Sequence, residues 1–494
     1  MNTGRLILFF LPLSLLIAGI LYVSGAGTGT SGATAVALLS LVGGGVLFIA
    51  LPGAFLLRAY LIFTILLAGL IEYYGRVSGF MLAPSLLGLG LLLWGLPRKA
   101  RGLEMAPAPA FIWLFALTAV VWCAFSLTNM TGLVQLIVSL ITFLMVYASL
   151  PAVLMVTRRD PERHIDWFEK ALACLPFLQL PITLHQRFFV ARGTTNWDTV
   201  AGSFGGIYGG VGRNSDLMLF MIASFAMALH LYQSNRISGR LFWAIFAAVF
   251  VITGIGETKA FFVYLPILLV MQQWPRIKRE PHKAILFGTV LLGAITLLWS
   301  AYATFNYGAR YADMADVSAL EMADATLERF LDTDNVDYEA GELGRVATLH
   351  IWYTHVQQDT LAAWVGYGLG ASRISRFGSG MIALAYVPLK LTSTAAAQLL
   401  WDVGIIGFSL FLTTMLAAMR FGLVQSKRTR DALFTSRYRT IAGIALILIL
   451  SLVYKPSMTE SVTVKLLFMM LMALLWVTYS QDLRNRRART EAPA

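Results

Sequence analysis

The segment from Gly344 to Gly407 concentrates side chains that could bind an anion or move a proton, in a chain that is otherwise mostly apolar. Guanidinium groups stay charged and bind phosphate oxygens through paired N–H donors, whereas histidine exchanges protons near neutral pH. These residue types predict a site for an anionic substrate. The cations and histidines of the segment are Arg345, His350, His355, Arg373 and Arg376.

The two histidines do not predict a metal centre. His350 and His355 are five residues apart, which differs from the four-residue spacing of a helical metal pair, and no further ligand completes a zinc site. Either histidine could act as a general base beside an acceptor hydroxyl, with His350 the preferred candidate, or could be an interfacial side chain. Asp402, where an apolar helix begins, could be a base or the partner of an arginine.

A second candidate anion site precedes the helix that starts near residue 214. Six glycines lie between residues 201 and 212, and Arg213 and Asn214 follow them directly. Glycine lets the backbone approach a ligand closely, and the free N–H groups of a helix start favour an anion. The spacing matches no nucleotide-binding motif, and a re-entrant loop is the alternative interpretation.

A third candidate cation interrupts a long apolar run at residues 254–259. Ionisable groups at such a break usually pair with each other or line a polar cavity. Lys259 could therefore bind a phosphate, or it could form a structural pair with Glu257. The sequence contains no motif of a serine hydrolase, a dithiol redox enzyme or a P-loop ATPase.

The elements that must position these residues are membrane helices. The 494 residues are 58% hydrophobic and only 13% charged, with a mean hydropathy of +0.71. Many windows are long and apolar enough to cross a bilayer. We expect an all-α polytopic membrane protein with about 14 spans (range 12 to 14). The predicted spans are 6–23, 33–51, 56–71, 80–96, 110–128, 132–156, 165–185, 215–233, 241–256, 259–274, 284–303, 396–419, 438–455 and 461–479.

The charges predict an orientation. The net charge is +12, and in a membrane protein such an excess marks cytoplasmic loops rather than a nucleic-acid site. With both termini cytoplasmic, the basic clusters all fall on one side, while the opposite turns are short and nearly uncharged. These clusters lie at residues 98–101, 158–163, 236–240, 276–283, 427–439 and 484–489.

The same assignment divides the chain into four parts. Residues 1–303 form an N-terminal bundle, 304–395 a long extracytoplasmic loop with short helices, 396–479 the C-terminal spans, and 480–494 a cytoplasmic tail. The first part of the loop is acidic and the part after Gly344 is basic. We interpret the basic part as the surface that faces the substrate, and the acidic part as a cap or a solvated surface.

Three stretches resemble the bacterial O-antigen ligase and O-antigen polymerase superfamily of GT-C type membrane glycosyltransferases. The first is the glycine-and-asparagine segment 202–219, and the second is the segment 256–260, which has Lys259 in place of an arginine. The third comprises Arg345, Trp352, the glycines of 366–370 and the Asp402-Val-Gly-Ile-Ile-Gly407 sequence. Together they extend over about 200 residues in the family's order.

One departure from the family pattern favours a polymerase. Ligases usually carry a His-Asn pair about nine residues before the acid that aligns with Asp402, and this chain has Ser393-Thr394 there. Polymerases rely on arginines. Ligase-type transfer to another acceptor remains an alternative, and a lipid-linked oligosaccharide flippase is a second.

The resemblance implies an inverting, metal-independent and cofactor-free transfer of an undecaprenyl-diphosphate-linked glycan, on the periplasmic side of the bacterial inner membrane. The implied catalytic residues are Arg345, His350 and Asp402. The partners would be lipid-linked donor and acceptor, membrane lipids, a chain-length regulator and export machinery, and no nucleic acid. The implied substrate-binding residues are Arg213, Asn214, Lys259, Arg373 and Arg376.

Overall fold

The computed structural model describes most of the chain and is about 79% helical. It covers residues 53–76, 80–95, 102–129, 133–191, 199–207, 213–256, 260–280, 331–338, 341–375 and 378–491, with isolated positions between 282 and 296. The helical content and the apolar helices fit the predicted all-α membrane protein. Two spans predicted at 6–23 and 33–51, most of the span at 284–303 and most of the acidic loop lie outside the described residues.

The secondary structure is as follows. The bundle contains α1 (Gly53–Tyr74), α2 (Ala83–Gly95), α3 (Ala110–Thr128), α4 (Leu133–Phe143), α5 (Leu150–Thr157), α6 (Pro161–His185), α7 (Asn214–Gln233), α8 (Gly239–Ile255), α9 (Ala260–Arg279), α13 (Ala395–Arg428), α14 (Ala432–Ser451), α15 (Ser457–Glu460) and α16 (Val462–Glu491). Between α9 and α13 lie the hairpin β1–β2 (Val336–Asp337, Glu342–Leu343), α10 (Arg345–Val356), α11 (Thr360–Val365), the hairpin β3–β4 (Ile374–Ser375, Gly378–Ser379) and α12 (Met381–Ala385).

Several of the predicted spans that fall in the described residues are too short to cross a membrane. Within the described ranges, six helices are long and apolar enough to cross a membrane, or seven if the bent pair α4–α5 is one span. The predicted count of about fourteen is not matched. The apolar parts of the helices at 80–96, 241–256 and 259–274 have only 10–17 residues, which is short for a core of about 30 Å at about 1.5 Å per residue. Helix α6 carries several charges in its first half.

Described residues of four basic clusters, those at 158–163, 236–240, 427–439 and 484–489, lie in or beside one network at one end of the bundle. Glu169 of α6 accepts hydrogen bonds from Arg236, after α7, and from Arg437 of α14. Leu103 pairs with Arg158, and Thr429 donates to Asp482 of α16. We call this the basic end. Residues 480–491, predicted as part of a tail, continue α16 there.

The opposite end carries the loops that contain the candidate site. There the start of α7 and the segment 199–207 meet the end of α1, and residues 341–394 pack on α3, α4 and α13. The core between the two ends is formed mainly by α7 and α16, of which 89% of the apolar window is buried in each helix. The two central helices therefore place their first turns in the middle of this end, which we call the site end.

The network at Glu169 predicts a large loss of stability on substitution. Glu169 is fully buried between Arg236 and the nearly buried Arg437, with His230 Nε2 3.4 Å from its Oε1 atom. Removing one partner of a buried ion pair leaves uncompensated charge at a cost of about 3–5 kcal/mol. Glu169→Ala should therefore lower the thermal unfolding midpoint of the purified protein in detergent by many degrees. The exposed Glu104→Ala is the control, and equal midpoints in the two variants would contradict this account.

Candidate functional site

A break in a membrane-spanning helix organises the site end. Helix α13 is interrupted at Gly404, whose φ of 64° is left-handed. The carbonyls of Trp401 and Asp402 then lack their usual helical donors, which is costly in a bilayer. The glycine-rich loop after α11 supplies them: Tyr367 N–H donates to Trp401 O at 2.9 Å and Gly368 N–H to Asp402 O at 2.8 Å.

Two glycines make this docking possible. A Cβ atom on Gly366 would lie 2.5 Å from the backbone of Asp402, and one on Gly404 would lie 2.4 Å from the backbone of Trp364. Gly366 also has a φ of 72°, which other residues adopt only with strain. The glycines of the family-like motif therefore allow two backbones to touch.

The Asp402 side chain fixes the glycine-rich loop by hydrogen bonds to its last residues. Its side chain is fully buried, and Oδ2 accepts the Gly370 N–H at 2.9 Å. Its Oδ1 atom accepts both the N–H and the hydroxyl of Ser372, at 3.0 and 2.8 Å. Arg373 follows directly, and it interacts electrostatically with Asp402. Asp402 therefore positions the backbone that carries Arg373.

Helices α3 and α4 hold the same loop from the other side. Asn129 donates to Gly366 O and Gln135 to Gly370 O, each at 2.6 Å. The Ser126 hydroxyl accepts the Leu369 N–H at 2.9 Å. Side chains of three helices thus fix the loop in one position.

Arg345, the first residue of α10, contacts the turn between α14 and α15. Its Nε donates to Tyr454 O at 2.7 Å, and its guanidinium carbon lies 4.1 Å from the centroid of the Tyr454 ring. The nearby Ser393 bonds Thr348, and Thr394 caps α13 by accepting the Ala397 N–H. Ser393 and Thr394 therefore both have structural contacts here.

Arg213 and Asn214 lie at the start of α7, as the glycine pattern predicts. The Arg213 N–H donates to Gly205 O at 3.3 Å, and Gly205 in turn packs against the Glu72 carboxylate. The guanidinium interacts electrostatically with Glu72, Asp216 and Glu460. Its Nη1 atom is buried without a hydrogen-bond partner among the described residues. We call Arg213 and these three acids the charged cluster, and within the described part of the chain its Nη1 donor has no acceptor.

A buried lysine belongs to the same cluster. Lys465, in the first turn of α16, is 1% exposed and interacts electrostatically with Arg213, Arg373 and Glu460. Its ammonium group donates to Thr142 O and, at 2.8 Å, to Thr459 O. Thr142 stands where α4 ends before a bend of 51°, so its carbonyl lacks a helical donor. Lys465 thus satisfies the free carbonyl at a second helix break at this end.

His355 is part of the loop's internal packing. Tyr367 donates to Asp359 at 3.1 Å, so its oxygen can accept from His355 Nε2 at 2.9 Å. The other ring nitrogen then accepts from Tyr386 at 2.6 Å, and the imidazole is satisfied on both sides. Burial, followed by the hydrogen bond to Asp359, raises the pKa of Tyr367, which keeps its proton in place. His350, by contrast, is exposed on α10.

The structure brings together some of the predicted site residues. Arg213 and Arg373 share Lys465 as a neighbour, and Arg345 lies on the turn that leads to Glu460. Asp402 reaches the cluster only through the loop. Lys259 and Arg376 lie outside the described residues.

Four charged members of the cluster are absent from the residues that the sequence singles out. They are Glu72, Asp216, Glu460 and Lys465. The available signal is the charge itself, because an ionisable side chain in or beside a membrane span usually marks a functional site. Lys465 stands alone in a run of apolar residues, and Asp216 directly follows the Arg213-Asn214 motif.

Comparisons with known proteins assign no family. No protein-family model matches the chain, and no curated protein matches it. The family resemblance therefore enters below as part of a proposal.

The loop docking predicts that Gly366→Ala is strongly disruptive. The added methyl group would overlap the Asp402 backbone, and strain and overpacking of this kind cost about 2 kcal/mol or more. We expect a lower unfolding midpoint and faster protease cleavage within 366–380. Gly90→Ala is the matched control, because a Cβ atom there meets nothing within 4 Å. Equal protease resistance of the two variants would contradict the docking.

Proposed function

We propose that the protein polymerises oligosaccharide repeat units carried on undecaprenyl diphosphate. The growing glycan would pass from one lipid diphosphate to a sugar hydroxyl on a second lipid-linked unit. The reaction would take place at the site end, on the periplasmic side of the bacterial inner membrane, and the basic end would be cytoplasmic. The distribution of Lys and Arg supports this orientation.

The observation that carries the proposal is the buried Nη1 donor of Arg213, which has no acceptor among the described residues. A buried guanidinium N–H without a partner is costly, and a phosphate oxygen is the acceptor that suits it best. Lys465, which neighbours both Arg213 and Arg373, adds N–H donors, and Arg373 adds positive charge. A lipid diphosphate would place its anionic group at this depth, near the membrane interface.

The reaction that the resemblance implies is a single inverting displacement. The acceptor hydroxyl oxygen attacks the anomeric carbon of the donor, and the bond from that carbon to the diphosphate breaks. The diphosphate leaves with the electron pair, and the hydroxyl proton passes to a base. Arg213 and Lys465 would stabilise the charge that develops on the leaving group, and Arg345 and Arg373 would orient the lipid-linked units.

The geometry favours different roles for the two proposed proton acceptors. Both carboxylate oxygens of Asp402 are already bonded to Gly370 and Ser372, so we assign it a positioning role. His350 is exposed on α10 and stays the candidate base. Asn214 would contribute a polar contact at the start of α7.

A transport function has one observation in its favour. A flippase should carry charges within its spans, and Asp216 and Lys465 are buried charged residues of the spanning helices α7 and α16. A lipid-linked oligosaccharide would then cross the membrane along these helices without reacting. Ligase-type transfer is the other alternative, and the glycan profile of cells separates all three.

A deletion strain should accumulate single lipid-linked repeat units, because chain extension would stop. The measurement is the size distribution of lipid-linked glycan on each side of the inner membrane. Long lipid-linked chains would instead indicate a ligase, and single units trapped on the cytoplasmic side would indicate a flippase. Complementation with Arg213→Ala should restore less than about 1% of chain extension, since loss of a buried phosphate contact costs about 3 kcal/mol or more. Full restoration by this variant would refute the donor site.

The acids around Arg213 predict a second effect. Glu72, Asp216 and Glu460 compete with an incoming anion for the same guanidinium. Glu460→Gln should therefore tighten the binding of inorganic pyrophosphate to the purified protein by about threefold to tenfold, which corresponds to about 1 kcal/mol. Isothermal titration at fixed pH measures this, with Glu104→Gln as control. Weaker binding by Glu460→Gln would show that the acid supports the anion site.

A further inference from the structure

A cavity at the basic end combines a concave shape with an excess of arginine. It has a volume of about 310 Å³ and lies between the end of α13, the start of α14 and the last turns of α16. Four arginines and two aspartates line it, so that the lining carries a net charge of +2. The arginines are Arg428, Arg430, Arg486 and Arg489.

The two acids are already engaged in bonds within the protein. Asp431 caps α14 by accepting the N–H groups of Leu433 and Phe434. Asp482 accepts from Thr429 at 3.0 Å and from Arg486. These contacts fix the walls of the cavity, and the two carboxylates can offset only two of its four guanidinium charges.

The remaining cations are not neutralised to the same extent. Arg489 lies 3.9 Å from Asp431, at the limit of an ion pair. In the described part of the chain, Arg428 and Arg430 take part in no ion pair, and both are exposed. Three guanidinium groups thus surround a space of a size that suits one phosphate group and its substituent, with multiple N–H donors for its oxygens.

The position of the cavity along α13 and α16 matches the level expected for lipid headgroups. Helices α13 and α16 are membrane-spanning, and the cavity begins where their apolar sequence gives way to arginine. Basic pockets between transmembrane helices at the cytoplasmic surface bind anionic headgroups. We propose that this cavity binds the phosphate of an anionic phospholipid whose acyl chains lie along α13 and α16.

The test uses purified full-length protein in a neutral detergent. Native mass spectrometry and the thermal unfolding midpoint are measured with added phosphatidylglycerol or phosphatidylcholine, and, in a separate arm, with inorganic phosphate. The test variant is Arg428→Gln/Arg430→Gln. Its matched control is Arg484→Gln/Arg487→Gln, which removes the same charge from exposed positions outside the cavity lining.

Phosphatidylglycerol should bind the wild type and the control with equal affinity, and the cavity variant about tenfold or more weakly. Phosphatidylcholine should not raise the unfolding midpoint. An equal loss of affinity for phosphatidylglycerol in both double variants would show that general surface charge causes the binding, and would overturn the proposal. Stabilisation by inorganic phosphate alone would overturn the assignment to a lipid. The outcome is independent of whether the site end transfers glycans.

Discussion

The structure depends on one constraint, the need to satisfy backbone carbonyls where helices break inside an apolar environment. In a bilayer no water is available to bond them, so each break requires a polar partner from the protein. Helix α13 breaks at Gly404, and the amides of Tyr367 and Gly368 fill the gap. The helix pair α4–α5 bends after Phe143, and the ammonium group of Lys465 binds the carbonyl of Thr142.

The hydrogen bonds that satisfy these two helix breaks bring polar groups to the same end of the bundle. The loop that donates hydrogen bonds to the free carbonyls of α13 carries Arg373. Lys465, which donates to the free carbonyl of α4, neighbours Arg213 and Glu460. The same segments therefore have two effects. They satisfy the carbonyls at the helix breaks, and they place Arg373 and Lys465 near Arg213 at the site end. In the proposed function this cluster binds the diphosphate of a lipid-linked glycan, and this links the fold to the proposed polymerisation.

The sequence predicts some parts of this account well and others poorly. Apolar composition predicts an all-α membrane protein, and the glycines of 366–370 with Asp402 mark the segment that docks on the bundle. In the described ranges the sequence predicts too many spans, because a hydrophobic window does not show whether the helix that contains it is long enough to cross. The contribution of Lys465 depends on contacts with Thr142, more than 300 residues away, which no local pattern reports.

The role of Asp402 illustrates a further limit. An acid at the mouth of a span fits a base, an arginine partner or a backbone ligand equally well from sequence. Only the three-dimensional arrangement shows that Gly370 and Ser372 occupy its oxygens. Ser393 and Thr394 are similar, because their contacts with Thr348 and α13 become visible only in the folded chain.

The most direct test of the central claim is chain extension by the purified protein in liposomes. The vesicles would contain a lipid-diphosphate-linked repeat unit as both donor and acceptor, and mass spectrometry would measure the length of the lipid-linked product. We predict dimers and longer chains with the wild type and only the starting unit with Arg213→Ala. Equal product lengths for the two proteins, or movement of unreacted substrate across the bilayer without extension, would contradict a polymerase whose donor site contains Arg213.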